Sequence, residues 1–127
     1  MIIDRKNKKK VMKETANIMI EKHAARQIRV SFEDHEALQS LKFDFIRQYL
    51  KDLITKRDTV IDFDLNGIYF MDNEIIDFLN FLYRLGRKYN SQLKLKNVGP
   101  ETLEIINLAK KYYIFDIKQV EPVPVEV

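Results

Sequence analysis

No cysteine occurs in the sequence. This excludes a disulfide framework, thiolate metal ligation and a thiol nucleophile, and it fits a reducing, cytoplasmic setting. Histidine is confined to His23 and His35, too few for a histidine-built metal or general-base site. The three glycines, at 67, 86 and 99, match neither a dinucleotide-binding nor a P-loop fingerprint. The only serines are Ser31, Ser40 and Ser91, and none sits in a nucleophile elbow. No apolar run approaches the roughly 18 residues that a membrane span needs. The opening MIIDRKNKKK leads into Val11, Met12, Lys13 and Glu14 rather than an apolar stretch, so it does not read as a signal peptide. The absences together point to a chain that is not an enzyme and that uses no cofactor or metal.

What is present is a core. Of 127 residues, 46% are hydrophobic, with eight Phe and six Tyr, enough for one domain. The net charge of +3 is unevenly spread. Residues 1–13 carry six cations against Asp4, a local +5, so the rest sums to −2. The expected division is a basic, flexible leader over 1–13, a folded domain over 14–121, and an extended tail over 122–127 with Pro122 and Pro124. The slightly acidic body argues against nucleic-acid binding through the fold. A weak anionic contact is left to the leader.

Asn17–His23 and Gln27–Phe32 alternate apolar and polar residues and read as a hairpin. Ser40–Lys56 reads as an amphipathic helix with Leu41, Phe45, Ile46, Tyr49, Leu50, Leu53 and Ile54 inward. Thr59–Leu65 is the clearest strand. Ile68–Met71 connects it to a helix capped by Asp72 or Asn73 and running to about Lys88. Gln92–Val98 is a further strand, and Gly99–Pro100 opens a third helix. Ile114–Val120 reads as the last strand. The order β-β-α-β-α-β-α-β implies an α/β fold with a mixed sheet of about five strands. Because interior strands alternate apolar and charged residues, helices should cover mainly one sheet face.

The densest acidic cluster is Asp62, Asp64 and Asp72, which raises a receiver-like phosphoacceptor using Asp62 or Asp64, with Glu33–Asp34 imitating its acidic pair. Only 28 residues separate Asp34 from Asp62, too few for the extra strand and helix of a receiver. The plain reading of Asp62 and Asp64 is that they face water from the uncovered side of the sheet.

The stretch from Thr59 to Ile117, with Asp62, Phe70–Met71–Asp72, Pro100–Glu101 and Phe115–Asp116–Ile117 in order, resembles the STAS family, the sulfate-transporter and anti-sigma-factor-antagonist domains. The upstream IRVSFEDHEAL resembles that family's second strand and first helix, so the likeness covers about residues 17–117. The resemblance implies a STAS-like fold and a non-enzymatic, bacterial protein-interaction module acting in signalling and transcription regulation by partner switching. Its partner would be an anti-sigma factor or kinase-like protein, or a larger complex such as a transporter. A homodimer is left open. In the family's bacterial regulators, the first serine after the Phe-Met-Asp junction is phosphorylated and the partner is ejected. Asn73 stands at that position and has no hydroxyl, so the usual switch is not expected here. Glu74 and Ile75 stand where the second serine and the glycine would be. The implied partner surface is Asp72, Asn73 and Glu74 together with Glu33, Asp34 and His35. The plain alternative for residues 72–74 is a helix N-cap alone.

Overall fold

The chain is described by a computed structural model covering residues 2–5, 8–11, 17–112 and 114–124. Its sheet has seven strands in sequence order: β1 (Ile2–Arg5), β2 (Lys8–Val11), β3 (Ile18–Ala24), β4 (Gln27–Phe32), β5 (Val60–Asp64), β6 (Gln92–Val98) and β7 (Gln119–Pro122). The first four pair antiparallel, and β4, β5, β6 and β7 pair parallel. The five strands expected from the sequence correspond to β3–β7. The strands β1 and β2 fall inside the segment read as a leader, where Lys8–Lys10 shows no apolar alternation to mark a strand. Residues 1, 6, 7, 12 and 13 of that leader, and 125–127 of the tail, lie outside the described residues.

Among the described residues, three α-helices and one 3₁₀ helix link the parallel strands. The 3₁₀ helix spans His35–Lys42, and α1 (Asp44–Ile54), α2 (Asn73–Arg87) and α3 (Pro100–Lys111) follow. They share a single core with one face of the sheet. Val30, Ile61, Phe63 and Leu95 from the strands and Leu38, Ile46, Leu50, Ile75, Leu79 and Ile106 from the helices are fully buried in it. The other face carries the polar residues. Register aligns Glu21, Arg29, Asp62 and Lys94 in one row across β3–β6, and Ser31, Asp64 and Lys96 in the next. Opposite charges facing one another on adjacent strands stabilise the pairing.

Two expectations need correction. The single helix over Ser40–Lys56 is broken at Phe43, whose ψ of 132° is extended. The break resets the helical phase. Leu41 stays buried in the 3₁₀ segment, but Phe45, expected inward, is 39% exposed. The last strand also starts late. Residues 114–118 are not strand, although Phe115 and Ile117 are buried in alternation as a strand's would be. Only from Gln119 does the chain join β6.

Candidate functional site

Parallel strands place their following loops at one end of the sheet, the usual site of binding in such folds. Here those loops are 33–34 after β4, 65–72 after β5 and the Gly99–Pro100 junction after β6. The β4 loop is fixed by the Glu33 N–H donating to the Asn17 carbonyl at 3.0 Å. Asp34 then caps the 3₁₀ helix, its Oδ1 accepting from the Ala37 N–H at 2.9 Å. The β5 loop turns at once. The Ile68 N–H donates to the Leu65 carbonyl at 3.0 Å, with Gly67 at φ 83°. Positive φ at the third position of such a turn favours glycine. The loop is pinned from the β6 side by the Thr102 hydroxyl, which donates to the Ile68 carbonyl at 2.8 Å.

Asp72 is the N-cap of α2, with Oδ1 accepting from the Ile75 N–H at 3.0 Å. Asn73 and Glu74 occupy the exposed first turn, where the helix dipole favours the Glu74 charge. The two acids are not bare. Lys42 Nζ lies 2.7 Å from Asp72 Oδ2 and 3.9 Å from Glu74 Oε1. Arg47 reaches Glu74 at 3.2 Å, donates to the Leu41 carbonyl at 2.6 Å, and lies 4.8 Å over the Phe78 ring. The hydrogen bond from Lys42 holds the Asp72 carboxyl below its ordinary pKa, against a smaller opposing effect of burial and with help from the Ile75 N–H.

The two loops named from the sequence meet through His35, whose ring stacks on Tyr69 with centroids 4.0 Å apart and planes 9° apart. His35 Nδ1 is buried with no hydrogen-bond partner in the described residues. All six residues expected at the partner surface thus lie at one end of the domain, joined by the His35–Tyr69 stack and the Lys42–Asp72 pair. The sequence reading missed the aromatic pair beside them. Tyr69 is 56% and Phe70 51% exposed, between a turn and a helix cap. Two adjacent aromatics in a segment with neither strand nor helix periodicity were the available signal. Lys42 and Arg47 were also missed, because their partners lie about 30 residues away in sequence.

The other acidic candidates do not join this site. Asp62 lies on the helix-free sheet face, where Oδ2 accepts from Gln27 at 2.8 Å and lies 3.7 Å from Lys96. Asp64 is held by Arg29 at 2.5 Å, Asn97 at 2.9 Å and the Asn66 N–H at 3.0 Å. Burial raises the Asp64 pKa, but these three donors outweigh it and the net shift is downward. Asp72 is turned to Lys42 instead. Among the described residues no three carboxylates or histidines converge as a metal site. A receiver also needs a sheet whose strand order switches, whereas this one runs in sequence order. The receiver-like phosphoacceptor reading is therefore not favoured.

Among the described residues no helix is long and apolar enough to cross a membrane. No family model and no curated protein sequence matches the chain. Its fold is similar to the solved structure of an anti-sigma-factor antagonist (STAS) domain protein from Planctomyces limnophilus, with a TM-score of 0.64 over 86% of this chain and 92% of that one. The two share 15% sequence identity. The likeness is one of fold, and on it the chain has the architecture of a STAS domain.

Proposed function

We propose that the chain is a non-enzymatic protein-interaction module that works as an anti-sigma-factor antagonist does, by presenting the 33–35 and 69–74 end of the domain to a protein partner. The observation that carries this reading is the His35–Tyr69 stack beside the exposed Phe70. It fixes an aromatic projection at the head of α2, and exposed, pre-ordered aromatics are the residues that dominate binding energy at protein interfaces. The neighbouring acids are already paired with Lys42 and Arg47. Docking over Asp72 and Glu74 desolvates ion pairs rather than lone carboxylates, which lowers the cost of burying these two acids.

Asn73 gives the proposal its regulatory half. An amide at this position cannot accept a phosphoryl group, so binding is set by partner concentration or by competition rather than by serine phosphorylation.

The test is affinity capture from the native cell with three forms of the full chain: wild type, Asn73→Arg and Phe70→Asp. A partner lost with both substitutions, and kept when Lys56 at the opposite end is changed to Glu, supports the surface. Partners unaffected by both substitutions would rule it out. Both sites are exposed, so the variants retain the fold, which a thermal melt checks.

A further inference from the structure

The end of the domain opposite the aromatic projection has a chemistry of its own. The β3–β4 turn brings Lys22 and Arg26 there, and the connection from α1 to β5 brings Lys56 and Arg57. The Val60 N–H donates to the Arg26 carbonyl at 2.7 Å, and the Arg26 guanidinium donates to the Arg57 carbonyl, so the two connections are tied together. Between them lies an open cavity of about 410 Å³, lined by these four cations over an apolar floor of Ile28 and Leu53. No carboxylate lines it.

None of the four cations forms an ion pair among the described residues. The acids nearby are engaged elsewhere: Asp58 accepts from Asn90 at 2.7 Å, and Asp52 from Gln48 at 2.9 Å. Arg57 lies 6.0 Å from the centroid of the Tyr89 ring, which steadies its guanidinium. Four like charges around one opening repel one another, and the folded body outside residues 1–13 is net acidic. Arg26 serves the fold through its hydrogen bond to the Arg57 carbonyl, but that bond leaves its charge, like those of Lys22, Lys56 and Arg57, without a counter-ion among the described residues. An anion seated between the cations turns the repulsion into attraction.

We propose that this cavity binds a phosphate-bearing ligand. Two arginines supply planar donor pairs suited to phosphate oxygens, and two lysines supply mobile point charges. The volume lies in the range of about 300–1,000 Å³ usual for small-molecule sites. The Ile28–Leu53 floor takes the less polar part of the ligand. A soluble diphosphate and a phospholipid headgroup share the recognised chemistry.

The probe is inorganic pyrophosphate, titrated calorimetrically into the full chain. Saturable binding at one site is expected, weakening by about tenfold or more in Lys56→Glu/Arg57→Glu and with added salt. Arg26→Glu should act in the same direction, and it serves should the double variant lose its thermal transition. Lys8→Ala/Lys9→Ala/Lys10→Ala must leave the affinity unchanged, because the leader carries its own positive charge. A second arm uses phosphatidylcholine vesicles with and without phosphatidic acid. Binding to the anionic vesicles alone, lost in the same cavity variants, assigns the phosphate to a lipid headgroup. No binding to either probe, or binding that survives the cavity substitutions, overturns the proposal. Partner capture through Phe70 and Asn73 is read separately, so either idea can fail without the other.

Discussion

Asn80, buried in α2, holds the backbone at Asp116 as a neighbouring strand would. Its Oδ1 accepts from the Asp116 N–H at 2.9 Å, and its Nδ2 donates to the Ile114 carbonyl. A helix side chain thus replaces one rung of a β-ladder. Phe115 and Ile117 are buried although residues 114–118 are not strand. Asn80→Leu should remove both bonds and leave two backbone groups poorly satisfied, costing about 2–3 kcal/mol. Urea unfolding measures the loss. Amide exchange at Asp116 should quicken more than at Leu93 in β6. Equal protection at both sites would mean that the Asn80 bonds do not hold the segment.

The same contact shows where the sequence was legible and where it was not. Alternation in residues 28–32 and 59–65 identified β4 and β5, because apolar and polar side chains there alternate between the two faces of a paired sheet. Alternation in 114–118 is equally regular but reports only burial, since Asn80 supplies the hydrogen bonds. The Asp72 cap was readable because a cap bonds three residues away. Its Lys42 partner and the His35–Tyr69 stack were not readable, because they depend on how two loops meet in space. The break at Phe43 escaped because its apolar neighbours remain compatible with one continuous helix.

Gly86 of α2 packs closely against Ile54 of α1. A Cβ built there would lie 2.8 Å from Cγ1 and 3.2 Å from Cδ1 of Ile54, a fully buried, β-branched residue. Alanine would normally improve an interior helix position by nearly 1 kcal/mol. Here the new Cβ would force the buried Ile54 side chain to shift, and overpacking costs about 1–3 kcal/mol. Gly86→Ala should therefore destabilise by about 1 kcal/mol, measured by chemical denaturation. The double variant Gly86→Ala/Ile54→Val should recover part of the loss, as a relieved clash requires.

The Lys42–Asp72 pair predicts a dependence on pH. Because the folded-state pKa of Asp72 is depressed, its stabilising effect is complete above the unfolded value of about 3.9 and fades as pH falls through the lower folded value. Asp64 acts in the same direction. Asp72→Ala removes a cap as well as the pair, costing about 1 kcal/mol at neutral pH. The gap between wild type and variant should narrow as the pH falls below the unfolded value and the wild-type carboxyl protonates. A gap independent of pH would show that neither the Lys42 bond nor the Ile75 N–H favours the ionised carboxyl.

Asp62 is the last acid to account for, and its surroundings predict inertness. It is 8% exposed in the middle of β5, with Oδ1 buried and unpartnered and Oδ2 taken by Gln27. Lys96 and Arg29 line the same open cavity of about 280 Å³ beside it. Phosphoryl transfer to an aspartate needs an accessible carboxylate oxygen and a divalent ion to neutralise the incoming charge. Two fixed cations oppose the metal, and burial closes the line of attack. Asp64 is bound by three donors and is no better placed. Incubation with acetyl phosphate and Mg²⁺ should leave the intact mass unchanged. A phosphoryl adduct removed by Asp62→Asn or Asp64→Asn would show that the polar sheet face is reactive after all. It would move the search for function from the aromatic end of the domain to this face.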